Sequence, residues 1–206
     1  AKAPSTPPLA PIATPSLPPY TAIWNESTWE TATIRFGPLW SLAESGSPLQ
    51  LQVRSSLTRA DDITALEAVI QDWGESPSVN ITLETTTMPS DDCLPVFGIV
   101  RVCNGSFGST KTKFFSNVYV NSREIIAVTI QINDDFGGDS ETTATSTRYN
   151  LCHEFGHALG LFHSSSGCMV DKLIVGDVQS SYLSPEPWNF SELDRLYGSN
   201  DRFLRR

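Results

Sequence analysis

Apolar and polar residues alternate along residues 49–54, LQLQVR. Leu49, Leu51 and Val53 fall on one side, and Gln50, Gln52 and Arg54 on the other. A period of two is that of a half-buried strand. The next stretch, TRADDITALEAVIQDWG, changes to the helical period and sets Ile63, Leu66, Ile70 and Trp73 on one face. Asp61 and Asp62 suit the positive first turn of that helix, and Gly74 suits its stop. Residues 79–85 (VNITLET), 96–102 (VFGIVRV), 117–122 (NVYVNS) and 125–133 (IIAVTIQIN) read as further strands. After a polar loop, 134–141, a helix is predicted from Thr147 to Leu159. Near the end, NFSELDRLYG predicts another, with Phe190, Leu193, Leu196 and Tyr197 as its buried stripe and Gly198 as its stop. The order of strand, helix, strands and helix predicts an α/β fold with a mostly parallel sheet.

The start of the chain has no such pattern. Residues 1–19 hold seven prolines, which predicts an extended, polyproline-like or disordered segment. Residues 20–46 carry Trp24, Trp29, Phe36 and Trp40, which suggests that this extension packs against the domain. It reads as a pro-region remnant or a linker. The chain does not begin with Met or with a signal-type apolar run, so a processed or engineered start is expected.

Charge narrows the partners. The formal net charge is −9 and the pI about 4.7, which opposes a nucleic-acid backbone. The basic tail residues Arg202, Arg205 and Arg206 are too few to reverse this. No apolar run reaches the ~18 residues of a membrane span. The four cysteines form no CxxC pair, which disfavours a cysteine zinc finger. Four N-x-[ST] sequons stand at Asn25, Asn80, Asn104 and Asn189. Together with the even cysteine count they predict a secreted, disulfide-bonded protein, expected as a monomer.

The chemistry is concentrated in one place. All three histidines of the chain lie within residues 153–163, HEFGHALGLFH. His153 and His157 are i and i+4 on the predicted helix, so they point the same way one turn apart. Two imidazoles so placed reach one zinc ion at ~2.0–2.1 Å. Gly160 tolerates a left-handed backbone, which lets the helix stop and the chain return with His163 as third ligand. Glu154 is rotated ~100° from His153, which suits a general base better than a ligand. Three neutral ligands leave the ion its full charge, so the pKa of a water in the fourth position falls towards ~7. Glu154 would take that proton and pass it to a leaving amine. HExxH alone occurs by chance, but the extended spacing with Met169 downstream is far more specific.

His153, Glu154, His157, Gly160, His163 and Met169 match the extended motif and Met-turn of the metzincin zinc metallopeptidases. The run HEFGHALGLFHS, including Ser164, resembles the matrixin branch, and CLPVFGIVRVCN with the pairs CHE and CM resembles its secreted bacterial and fungal members. The likeness covers roughly residues 47–200. It implies a twisted five-stranded, mostly parallel sheet with an antiparallel edge strand, two long helices and a small C-terminal lobe. The divisions are then 1–46 for the proline-rich extension, 47–163 for an upper lobe with the active-site helix, and 164–206 for a lower lobe with the Met-turn. The edge strand, placed near 117–122, would bind a polypeptide substrate by strand addition. Met169 would pack beneath the ligands as an apolar plug.

Of the three pairings that four cysteines allow, this frame favours Cys93–Cys103 and Cys152–Cys168, the second tying the active-site helix to the Met-turn. The chain departs from matrixins in three ways. No histidine remains for a second, structural zinc, and residues 1–46 contain no cysteine for a latency switch. Asp171 stands two residues after Met169, where several metzincins have Tyr; Tyr182 is a candidate to lean towards the oxyanion. The carboxylates Asp134, Asp135, Asp139 and Glu141 suggest calcium, against the plainer reading of a solvated acidic turn.

The sequence thus predicts a zinc-dependent metalloendopeptidase. One alternative is a latent form of that enzyme, blocked by its N-terminal segment. The other is a non-catalytic binding module on a peptidase fold, which the retained Glu154 opposes.

Overall fold

A computed structural model describes residues 17–25, 28, 38–40, 48–86, 93–108, 112–136, 143–170 and 180–198. Seven strands form one sheet: β1 (Ala22–Trp24), β2 (Leu39–Trp40), β3 (Leu49–Ser55), β4 (Val79–Thr85), β5 (Ile99–Gly105), β6 (Phe114–Asn121) and β7 (Glu124–Asn133). Their order is β1-β6-β7-β5-β3-β4, with β2 beside the start of β7. Strands β4, β3, β5 and β7 run parallel, and β6 is antiparallel to β7. These five are the strands expected from the pattern. The two short strands β1 and β2 come from the N-terminal extension and enlarge the sheet.

The alternation in β3 works as its period requires, with Leu49, Leu51, Val53 and Ser55 inside and Gln50 and Gln52 in solvent. Central β7 is buried from Ile125 to Asn133, as a strand paired on both sides and covered on both faces must be. β5 begins three residues later than the pattern predicts. Phe97 is exposed, and Gly98 turns with a φ of +75°, so Val96 and Phe97 lie ahead of the ladder.

Two long helices cover one face of the sheet. Helix α1 (Ala60–Trp73) opens with Asp61 and Asp62 and buries Ala65, Leu66, Val69 and Trp73. Its last residue, Trp73, is fully buried and donates its indole N–H to the Cys152 carbonyl at 3.2 Å. Removing a side chain of that size from water stabilises the fold by roughly 3 kcal/mol. That bond and contact lock α1 to α2 (Ala144–Ala158), whose first turn is capped by Thr143 accepting the Ser146 N–H. The last helix, α3 (Pro187–Tyr197), starts on a proline and a Glu186–Asn189 capping box. Leu193, Leu196 and Tyr197 form its buried stripe, and the Tyr197 hydroxyl donates to the Leu159 carbonyl at 2.8 Å. The end of α2 is thereby held from below.

Trp40 completes this junction. It is only 7% exposed, and its indole N–H donates to the Ala158 carbonyl at 2.7 Å. Its backbone N–H meets the Tyr197 hydroxyl at 3.4 Å. Trp29, Phe36, Asp139, Glu141, Asp171, the first sixteen residues and the basic tail lie outside the described residues.

Candidate metal centre

Helix α2 carries His153, Glu154 and His157, and ends at a tight turn. The Gly160 N–H returns to the His157 carbonyl at 2.9 Å, and Gly160 itself has a φ of +85°. A Cβ there would meet the carbonyl oxygen of Pro38, so both the backbone angle and the crowding call for glycine. The turn sends Leu161, Phe162 and His163 back along the helix. Ser164 then donates its N–H to the Met169 carbonyl at 2.7 Å, closing a loop over the turn Gly167–Met169.

This path brings the three imidazoles together. His157 Nε2 lies 3.1 Å from His153 Nε2 and 3.1 Å from His163 Nε2. His153 Nδ1 faces the Cys168 carbonyl at 2.9 Å, and His157 Nδ1 faces the Leu161 carbonyl at 2.9 Å. A carbonyl only accepts, so both Nδ1 atoms carry the hydrogen and both Nε2 atoms present lone pairs. Lone pairs converging at that distance repel one another unless a cation lies between them. Zinc–nitrogen bonds of ~2.0–2.1 Å at tetrahedral angles put ligand nitrogens about 3.3 Å apart, so this cradle fits the ion. Burial, reinforced by the neighbouring His153 and His163, holds the His157 pKa well below the ordinary imidazole value, against a smaller upward pull from the Leu161 carbonyl. A neutral ring is the form that ligates. Among the described residues, these three histidines are the group placed to hold a metal ion.

Support beneath the ligands is apolar and covalent. Met169 is fully buried. A Cβ added at Gly156 would fall on its sulfur, so the helix and the methionine meet at the glycine. Cys152 and Cys168 form a disulfide with a Cα–Cα distance of 5.8 Å, which joins the residue before His153 to the residue before Met169. Cys93 and Cys103 form the second, at 6.1 Å. Glu154 is buried on the helix position after His153.

Two contributors were not anticipated from sequence. Gly156 sits in the last turn of α2, within the helix, where glycine costs up to about 1 kcal/mol; that cost is itself a signal of a packing role. Tyr149 lies one turn before His153, with ring centroids 5.9 Å apart, and its hydroxyl donates to the Val170 carbonyl at 2.7 Å. It fastens the chain just after Met169 to α2.

The remaining candidates have the following surroundings. Tyr182 is half-buried against the core in a short turn, Ser180–Tyr182. Asp134 faces Arg59 at 3.0 Å and Lys113 at 4.0 Å, and accepts from Asn104 at 2.8 Å. Asp135 accepts from Ser106 and from the Gly108 N–H. These two carboxylates lie in an internal network of hydrogen bonds and ion pairs. The sequons also divide. Asn25 and Asn80 are exposed, whereas Asn104 is bonded to Asp134 and Thr58, and Asn189 is fully buried with its carbonyl on the Glu186 N–H. Asn104 and Asn189 are thus buried in the folded chain, unlike Asn25 and Asn80.

Fold and site together define an α/β protein with a three-histidine metal cradle. No family model matches the chain, and no curated protein matches it. Among solved structures it is similar to myroilysin, at 14% identity and a TM-score of 0.46, over 79% of this chain and 83% of that one. A second myroilysin structure gives 15%, a TM-score of 0.33, and coverages of 74% and 61%. Metalloproteinase-II from Bacteroides fragilis gives 14% and 0.42, over 84% of this chain and 60% of that one. At such distances the functional reading rests on the histidine geometry of this chain.

Proposed function

We propose that the chain is a secreted, zinc-dependent endopeptidase of the metzincin kind, close in type to the matrixins. The observation that carries this reading is the convergence of three imidazole Nε2 atoms, two of them fixed as lone pairs, at a helix that also carries a buried carboxylate. His153, His157 and His163 hold the ion. When bound, zinc supplies Lewis acidity to the scissile carbonyl and to the attacking water. The Cys168 and Leu161 carbonyls fix two of the rings in the ligating tautomer. Glu154 takes the proton of the attacking water and returns it to the departing amine. Met169, packed under the rings against Gly156, keeps the ligands from shifting downward. The substrate is an extended polypeptide that adds to the sheet beside β6, on the side where β1 pairs in this structure. Two disulfides and the absence of a helix long and apolar enough to cross a membrane, among the described residues, accord with an extracellular site of action.

The test uses the full chain, with bound-metal analysis beside digestion of casein and of a peptide library. We expect about one zinc per chain, cleavage that stops with a chelator, and a Glu154→Gln variant that keeps the metal but loses about 10²–10⁴-fold in rate. Undiminished cleavage by Glu154→Gln would remove that residue from the mechanism. Binding of polypeptide without any cleavage would instead favour a binding module on this fold.

A further inference from the structure

The sheet ends in two edge strands of different kinds. β1 closes one side with three residues, reached through Pro18 and Pro19. β4 closes the other with seven, VNITLET, paired with β3 along its whole length without a bulge. Among the described residues, no strand lies beyond it. An open edge is a template for another chain, and proteins blunt it with lysine, proline, a bulge or a very short strand. β4 has none of these. Its composition is that of a self-pairing segment, with β-branched residues, no proline, no glycine and a single charge. That charge is tied back to β3, because Glu84 accepts from Gln52 at 3.0 Å and from Arg54 at 3.1 Å.

What β4 does carry is the acceptor sequence Asn80, Ile81, Thr82. Ile81 and Leu83 pack towards the core, which puts Asn80, Thr82 and Glu84 on the opposite face. Asn80 is exposed and stands opposite exposed Gln50, so a large group on its amide has open solvent to occupy. The other exposed acceptor, Asn25, follows directly on β1. Both exposed acceptors therefore lie at the edges of the sheet, while the two buried ones do not.

We propose that Asn80 bears an N-linked glycan that covers the β4 edge and keeps the chain from pairing with a second copy. This rests on the secreted half of the proposed function and not on its peptidase chemistry. In the attachment, the Asn80 amide nitrogen loses one proton and bonds to the anomeric carbon of a lipid-diphosphate-linked oligosaccharide, whose carbon–oxygen bond to the diphosphate breaks. A bulky hydrated group anchored at the second residue of the strand then sweeps the space beside it. Without it, β4 of a second copy can run antiparallel about Thr82. Ile81 would then face Leu83, Asn80 would face Glu84, and the sheet would continue across two molecules.

The test uses the full chain secreted from a eukaryotic host, with peptide mapping by mass and light scattering over a range of concentrations. Asn80 should carry sugar in the soluble protein, and that protein should be monomeric. Asn80→Gln and Thr82→Ala each remove the acceptor and should self-associate about tenfold or more tightly than the parent. Asn80→Lys also lacks the sugar but restores a charge to the edge, and should stay monomeric. Unmodified Asn80 in the secreted parent would overturn the proposal, as would monomeric Asn80→Gln and Thr82→Ala. Association of Asn80→Lys as strong as that of Asn80→Gln would also overturn it, since the fault would then lie in the missing sugar's effect on folding and not at the edge. None of these readouts involves metal or cleavage, so their failure leaves the peptidase reading standing.

Discussion

Trp24 and Trp40 enter the molecule from the same cysteine-free extension, yet they belong to different parts of it. Trp40 is sealed in the junction of α2, α3 and β7, with its indole bonded to the helix that carries the ligands. Trp24 is half-buried on a three-residue strand laid over the sheet's outer edge, against Phe162. An extension is therefore not one functional unit. Its last described residues are structural parts of the domain, while residues 22–24 only add a short strand to the outer side of β6.

The largest effect should come from breaking the structural half. Trp40→Ala should destabilise the chain by about 3–5 kcal/mol, read as a fall in the urea midpoint. Cutting the covalent floor should come next. Replacing Cys152 and Cys168 together by Ala should cost about 3 kcal/mol, the chain-entropy value for a loop of this size, and should weaken zinc retention in dialysis.

Acid should act on the same half. His157 has a folded-state pKa below its unfolded value of ~6.5, so on acidification the unfolded chain takes up the proton first. In the metal-stripped chain, stability present above about pH 6.5 should be lost as the pH falls, by at most about 1.4 kcal/mol per unit, until the folded pKa is reached. Urea midpoints between neutral and mildly acidic pH check this; a flat profile would contradict the burial of a neutral ring. The smallest effect belongs to the other tryptophan. Trp24→Ala should cost about 1 kcal/mol of stability or less, the scale of one aromatic contact. A loss as large as that of Trp40→Ala would erase the distinction between the two.

The sequence makes the site far more legible than its surroundings. Ligand spacing is a local code, because a helical turn and a glycine stop fix where His153, His157 and His163 can go. β3 is legible for the same reason, since its period-two run states its own faces, whereas β5 and β7 are legible as apolar runs buried on both faces. Beyond these, the determinants are long-range. Nothing in YTAIW shows that it pairs with a strand a hundred residues on, and its proline-rich approach carries no alternation to read. Gly156 could be flagged as costly in a helix, but its partner Met169 is a contact only the folded chain reveals. Likewise Asn189 reads as an exposed acceptor motif until α3 turns it inward to close the capping box with Glu186.

That inward turn bears on how the protein is made. Oligosaccharide is attached while a nascent chain is still open, at a stage when Asn189 is as reachable as Asn80. A molecule decorated there could not shut the first turn of its last helix, and the hold of Tyr197 on Leu159 would fail with it. Material produced in a eukaryotic secretory host should therefore split into two populations, with the soluble, monodisperse fraction bearing no sugar at Asn189 and the retained fraction enriched in it.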